Sequence, residues 1–187
     1  MAPLGAARFG LSGGALDLGS LELIETISFS GASTVDFDDL GSNYNVHLFT
    51  CSNVNLADNR DQNVRVKVGG TVQTGASDYA RAYQINRSDD VGYEDKDPDL
   101  NRLRINAEIG AATGESWNGY MYMYYALDSG RFTHFTQHLT QMIFYPHYVS
   151  TFGNGLYQQT NTLSGVQFSP SSSTMTGKIS LYGIKGT

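Results

Sequence analysis

From Leu21 onward the apolar residues recur at every second position, in short runs broken by Gly, Asn, Asp and Ser. This is the period of a strand with one buried face, and no segment sustains the 3.6-residue period of a capped helix. In "YNVHLFTCSNV" the alternation groups Tyr44, Val46, Leu48, Thr50, Ser52 and Val54, and in "NVRVKV" it groups Val64, Val66 and Val68. Gly69-Gly70 then offers the two positive φ angles of a tight hairpin before "TVQT". Further strands are predicted at 21–29, 33–37, 78–86, 102–109, 116–126, 141–152, 163–169 and 175–184. About eight to ten strands at such spacing predict an all-β fold, a jelly-roll-like two-sheet sandwich over residues 21–187. A chain of 187 residues suffices for one such core, since a domain of that size buries roughly 70% of its extended surface.

Residues 1–20 read differently. "MAPLGAARFGLSGGALDLGS" is rich in Gly and Ala and holds only isolated large apolar groups, among them Leu4, Phe9 and Leu11. It cannot build a core and is read as an extended N-terminal docking arm, its apolar groups set against a neighbouring subunit.

Charge and cysteine usage exclude several classes. Twelve Lys and Arg, scattered among eighteen Asp and Glu, give a formal charge of −6 and no basic stripe, so no nucleic acid is expected as a partner. No run of eighteen apolar residues and no charged start with an apolar core appears, which predicts neither a membrane span nor a secretory leader. Cys51 is the one cysteine, so no disulfide can close within the chain; it reads as a small buried apolar group.

The densest cluster of reactive side chains is "GRFTHFTQHLTQMIFYPHYVSTFGNG", residues 130–155. His134 and His138 would share one side of a strand but stand about 13 Å apart, too far to bind one metal ion. His147 follows Pro146 with no carboxylate or cysteine between it and His138 to complete a ligand shell. No G-x-S-x-G elbow or Cys-His signature accompanies them, and the carboxylates Asp38-Asp39 carry no spacing that marks a glycosidase. Mixed with Thr, Gln and Tyr, His134, His138, His147 and Tyr148 read as candidates for contact with a host surface, not as a reaction centre. In "SDDVGYEDKDPDLN" the acidic residues Asp95, Asp97 and Asp99 match the first ligands of a calcium loop. Leu100 stands where the turn glycine belongs and Asn106 where the bidentate Glu belongs, which leaves only a weak Ca²⁺ candidate on a solvated connection. No metal or other cofactor is expected.

"WNGYMYMYYAL" alternates without a polar face: Trp117, Gly119, Met121, Met123 and Tyr125 fall on one side, Tyr120, Tyr122, Tyr124 and Ala126 on the other. One side can fill the sandwich. The tyrosines Tyr120, Tyr122 and Tyr124 are predicted to meet a second subunit, because tyrosine brings area and a hydrogen bond together.

"GESWNG" (114–119) and "LSGVQFSPSSSTMTGKISLYGIKG" (163–186) closely resemble a recurrent module of tailed-bacteriophage virion proteins, common in marine and cyanobacterial phages. There a Gly-Glu-Ser hairpin precedes a strand and the final strand reads Gly-x-(Ile/Val)-x-Leu-Tyr-Gly-Ile-Lys. "APLGAARFGLSGG" followed by "LGSLELIET" is similar to the arm before it. The resemblance implies a β-sandwich component of the virion, often a homotrimer, without enzymatic activity. The expected function is a tail-associated fibre or appendage subunit that docks by its arm onto other virion proteins and contacts the host surface, with a surface glycan as the receptor class. Capsid decoration, as a cement or head-fibre protein, is the alternative; a free carbohydrate-binding module or hydrolase comes third.

Overall fold

The computed structural model describes residues 20–89, 92–106, 108–143 and 147–185. The docking-arm residues Leu4, Phe9 and Leu11 lie outside them. Among the described residues every regular element is a strand: β1 (Leu21–Ala32), β2 (Val35–Phe37), β3 (Val46–Leu56), β4 (Gln62–Val68), β5 (Thr71–Val72), β6 (Tyr79–Arg87), β7 (Tyr93–Leu100), β8 (Leu103–Arg104), β9 (Trp117–Tyr124), β10 (Thr133–Met142), β11 (Tyr148–Tyr157), β12 (Gly165–Pro170) and β13 (Met175–Ile184). They form two antiparallel sheets. The larger runs β1-β13-β3-β9-β10-β11-β6-β7; the smaller runs β2-β12-β4-β5, with β8 also on β4. The all-β sandwich expected from the alternation is the observed fold.

One core lies between the sheets. Phe49 of the large sheet meets Phe37 and Phe168 of the small one edge to face, with centroids 5.4 Å away in both cases. Val64 and Val66 are fully buried beside them, and Trp117, Met121 and Met123 fill the space from β9. Edge-to-face rings add to the gain from area alone, so this cluster pins the two layers together. A polar tie reinforces it: the Tyr79 hydroxyl on β6 accepts the Val66 N–H at 2.9 Å and donates to the Gln73 carbonyl at 3.1 Å. Gly69 (φ 55°) and Gly70 (φ 79°) turn β4 into β5 as the hairpin reading required.

Two local departures from strict alternation change which residues face inward. In β3 the core-facing series is Phe49 and Cys51, then Val54 and Leu56, because the register shifts between Cys51 and Val54. Asn53 absorbs the extra residue at φ 50°, and its N–H donates to the Asn118 side-chain oxygen at 2.6 Å. Tyr44, Val46, Leu48, Thr50 and Ser52 therefore do not share the buried face with Val54. At the end of β9, Tyr125 adopts φ 62° and its N–H donates to the Asn45 carbonyl at 2.9 Å. The turn flips the last two positions of the aromatic stretch: Ala126 is buried and Tyr125 is exposed.

Two elements differ from the sequence reading. The single strand expected at 141–152 is replaced by a pair, β10 and β11, that meet in register from Thr133↔Tyr157 to Met142↔Tyr148. The acidic segment read as a loop is the edge strand β7. It pairs with β6 and carries Pro98 along with its charges, features that discourage pairing on an outer edge. The opposite edge, β1, carries Leu21, Leu23, Ile24, Ile27 and Phe29 and neither proline nor lysine.

Gly119 packs where no side chain fits. Its φ is 144°, and a Cβ there would collide with the His138 carbonyl and Leu139 Cα on β10. Gly119→Ala is expected to lower stability by about 1–3 kcal/mol, read as a shift in the denaturant midpoint. An unchanged midpoint would mean that β9 and β10 part easily.

His47 is wholly buried on β3, its Nε2–H donating to the Leu40 carbonyl at 2.7 Å. Burial holds its pKa below the usual histidine value, and the Leu40 bond only partly opposes that. The unfolded chain therefore takes up this proton more readily than the folded one. Its contribution to stability is complete above about pH 6.5 and is lost as the pH falls from there through the depressed folded value. Thermal melts between pH 7.5 and 5.5 should show a slope that His47→Gln flattens; an equal slope in both proteins would place the titration elsewhere.

Candidate functional site

Tyr120, Tyr122, Tyr124, His134 and His138 come together on the outer face of the large sheet. Laterally paired residues of an antiparallel sheet project to the same side, about 4.8 Å apart. One row across the face reads Leu23–Tyr182–Leu48–Tyr122–Thr136–Asn154. The row on one side reads Leu21–Ile184–Val46–Tyr124–His134–Leu156 and the row on the other reads Ser180–Thr50–Tyr120–His138–Phe152–Gln84. The outward tyrosines and the histidines are direct neighbours: Tyr124 beside His134, Tyr120 beside His138.

The rings touch in sequence. Tyr124 stacks on Tyr122 at 6.2 Å, Tyr122 meets Tyr120 edge-on at 5.7 Å, Tyr120 meets His138 at 6.0 Å, and His138 meets Phe152 at 6.4 Å. Phe152 completes a five-ring chain and carries no sequence signal of its own, since "STFGNG" reads as a strand end. Tyr120, Phe152, Leu21 and Leu23 are 42%, 44%, 55% and 59% exposed, so large apolar side chains are uncovered at both ends of the face, while Leu48 between them is buried. The face divides by chemistry. Toward β1 two rows are aliphatic and tyrosine-rich and the third carries the hydroxyls of Thr50, Ser180 and Thr26; toward β6 the face carries amides and hydroxyls among the rings.

His147 and Tyr148 do not join this cluster. They sit at the start of β11, where Tyr148 is about 13 Å along the strand from Phe152 and about 26 Å from the neighbour of His134. His147 Nε2 lies 3.2 Å from the Asp89 carboxylate, and the exposed Tyr148 is tied by its N–H to the Ser88 hydroxyl at 3.1 Å. The four host-contact candidates therefore occupy two places.

The carboxylates serve the fold. Asp95 receives Arg81 Nη2 at 2.8 Å and is also bonded by Arg104, which reaches Asp61 at 3.4 Å. Burial pushes the Asp95 pKa up, but hydrogen bonds and charge from Arg104 and Arg81 prevail and hold it below the carboxylate range. Asp97 accepts the Asp99 N–H at 3.0 Å. Two guanidiniums occupy the oxygens Asp95 would offer to Ca²⁺, and among the described residues no three His, Cys, Asp or Glu side chains converge to hold a metal. Asp38 pairs with Lys67 at 2.7 Å while Asp39 accepts the Gly41 N–H at 2.7 Å, so these neighbours do not act as a pair. Cys51 is a buried free thiol whose pKa burial drives upward, away from nucleophilic use.

No family model, curated protein or solved structure matches the chain. No helix among the described residues is long and apolar enough to cross a membrane.

Proposed function

We propose that the chain is a non-enzymatic structural subunit of a tailed-bacteriophage particle, most simply a tail-associated fibre or appendage protein, and that it joins copies of itself through the outer face of its large sheet. The observation that carries self-association is the row Leu23–Tyr182–Leu48–Tyr122, a lateral line of apolar and tyrosine side chains over four strands, ending on an edge strand with neither proline nor lysine. Left wet, each Å² of its apolar area would forgo roughly 25 cal/mol that association recovers. The phage context comes from the resemblance at the chain's end: "GKISLYGIK" supplies β13, the strand between β1 and β3 that carries Tyr182 into that row. A homotrimer is the assembly that resemblance implies. The arm, residues 1–20, is then the part that docks onto other virion proteins.

Particles purified from a lysate and labelled with antibody to this chain test the reading by electron microscopy. Label on the tail supports it. Label on the head would move the protein to capsid decoration, and label confined to the free fraction would end the virion assignment.

A further inference from the structure

We infer that the part of the outer face between Tyr120 and Phe152 is a binding site for a neutral glycan. Tyr120, His138 and Phe152 lie side by side on β9, β10 and β11. Both outer rings stand nearly perpendicular to the histidine, at 80° and 81°. They border a shallow cleft of about 640 Å³, within the range of small-molecule sites of roughly 300–1,000 Å³. Asn86, Ser150 and Asn154 also line it. Ser150 orients the histidine through a 3.1 Å contact between its hydroxyl and Nε2. The Asn86 and Asn154 side-chain amides are exposed and have no protein partner among the described residues.

The lining selects the ligand class. It contains no Asp, Glu, Lys or Arg, so a cation would find no countercharge and an anion no fixed one, His138 being the one lining side chain that can take up a positive charge. A purely apolar ligand would cover the amides without pairing them, at the full cost of desolvation. A peptide in extended form would seek a strand edge, and this cleft lies on a sheet face between central strands. A glycan answers every feature. Its C–H faces suit the negative faces of the rings, and its hydroxyls both give and accept hydrogen bonds, as a carboxamide does. The rings stand on strands whose reverse side is core: Met121 and Leu139 are buried beneath them. The platform is therefore preorganised, and binding spends little on ordering it.

This site does not rest on the subunit reading. The row that carries self-association runs toward β1, where Leu23, Tyr182 and Leu48 hold no amide. The two can be separated by mutation.

The test is an array of neutral hexose and N-acetylhexosamine oligosaccharides, with sialylated and sulfated glycans as anionic comparators, probed with the full chain. Dissociation alone would weaken an array signal through lost multivalency, so affinity for the best neutral oligosaccharide is measured in solution by calorimetry. Phe152→Ala and Asn154→Ala should each weaken it by about tenfold or more, while Tyr182→Asp should leave it unchanged and lower the sedimentation coefficient. Both weakening substitutions are at exposed positions, and Asn154→Ala, which removes no ring, serves if Phe152→Ala misfolds. Four results would overturn the inference: no neutral glycan bound at millimolar concentration; preference for the anionic glycans; affinity indifferent to both substitutions; or Phe152→Ala dissociating the protein with no effect on sugar.

Discussion

Asp95→Ala is expected to cost about 3 kcal/mol, because it takes the shared carboxylate from two guanidiniums and strands that of Arg81 where water reaches it poorly. The Arg81 and Asp95 side chains are only 10% and 13% exposed, and Arg104 is 30% exposed. Asp95 accepts from both arginines, so one truncation breaks two charge-assisted contacts and leaves Arg81 with no other ion-pair partner among the described residues. Arg104 retains Asp61, which limits the loss on that side. The strand that Asp95 occupies is an edge strand, so the fold should loosen first at β7 while the central strands persist. Amide exchange reads this directly: protection along β6 and β7 should fall before protection along β3 and β9. Asn at the same position should be milder, since it can still accept one of the bonds. A denaturant midpoint unchanged by Asp95→Ala would mean that the two arginines are solvated without it.

Tyr122→Asp is expected to weaken self-association by at least about 100-fold, equivalent to about 2.7 kcal/mol. Tyr122 is central in its row, between Leu48 and Thr136, with Tyr120 and Tyr124 as its ring neighbours. Its lateral and ring neighbours Leu48, Thr136, Tyr120 and Tyr124 include no Lys or Arg, and desolvating a poorly paired carboxylate costs more than a contact of this kind returns. The side chain projects away from the core, so the mutant should keep its β-type circular dichroism and its thermal midpoint as a monomer. Tyr122→Phe, which keeps the ring, should still associate. Sedimentation velocity at micromolar concentration decides: a monomeric wild type, or a mutant that sediments like the associated form, would release this row for some other use.

Much of the fold is legible in the residues alone. The inward set Trp117, Met121 and Met123 and the outward tyrosines come from alternation by itself, because β9 runs straight until its last residue. The pattern fails where a polar group or a single backbone angle overrides it. Asn53 and Tyr125 take left-handed angles that no period reveals, and each reverses the facing of the residues after it. In β10 the inward positions are Thr133, Phe135, Gln137, Leu139 and Gln141, so three of the five expected apolar marks are missing; Gln137 is accommodated because its amide reaches the Ile105 carbonyl at 2.6 Å. The acidic stretch reads as a connection because its carboxylates outnumber its apolar residues. Partners supplied from β6 and β8 allow Asp95 to turn inward, and no local pattern announces them. The site is legible in parts. Composition marks the tyrosines and histidines, but only the register brings them side by side and adds Phe152.

The unlike borders of the large sheet restrict the symmetry open to an assembly. A ribbon that grows without limit needs each subunit to offer a donor edge and a receptive edge, and the proline and carboxylates of β7 deny it the second. Continuation through β1 could only join β1 to its own copy about a twofold axis, which closes after two members. A threefold particle that uses the large sheet would therefore be cemented by its faces instead of its borders, and that sheet is protected from fibrous growth by one strand on its rim.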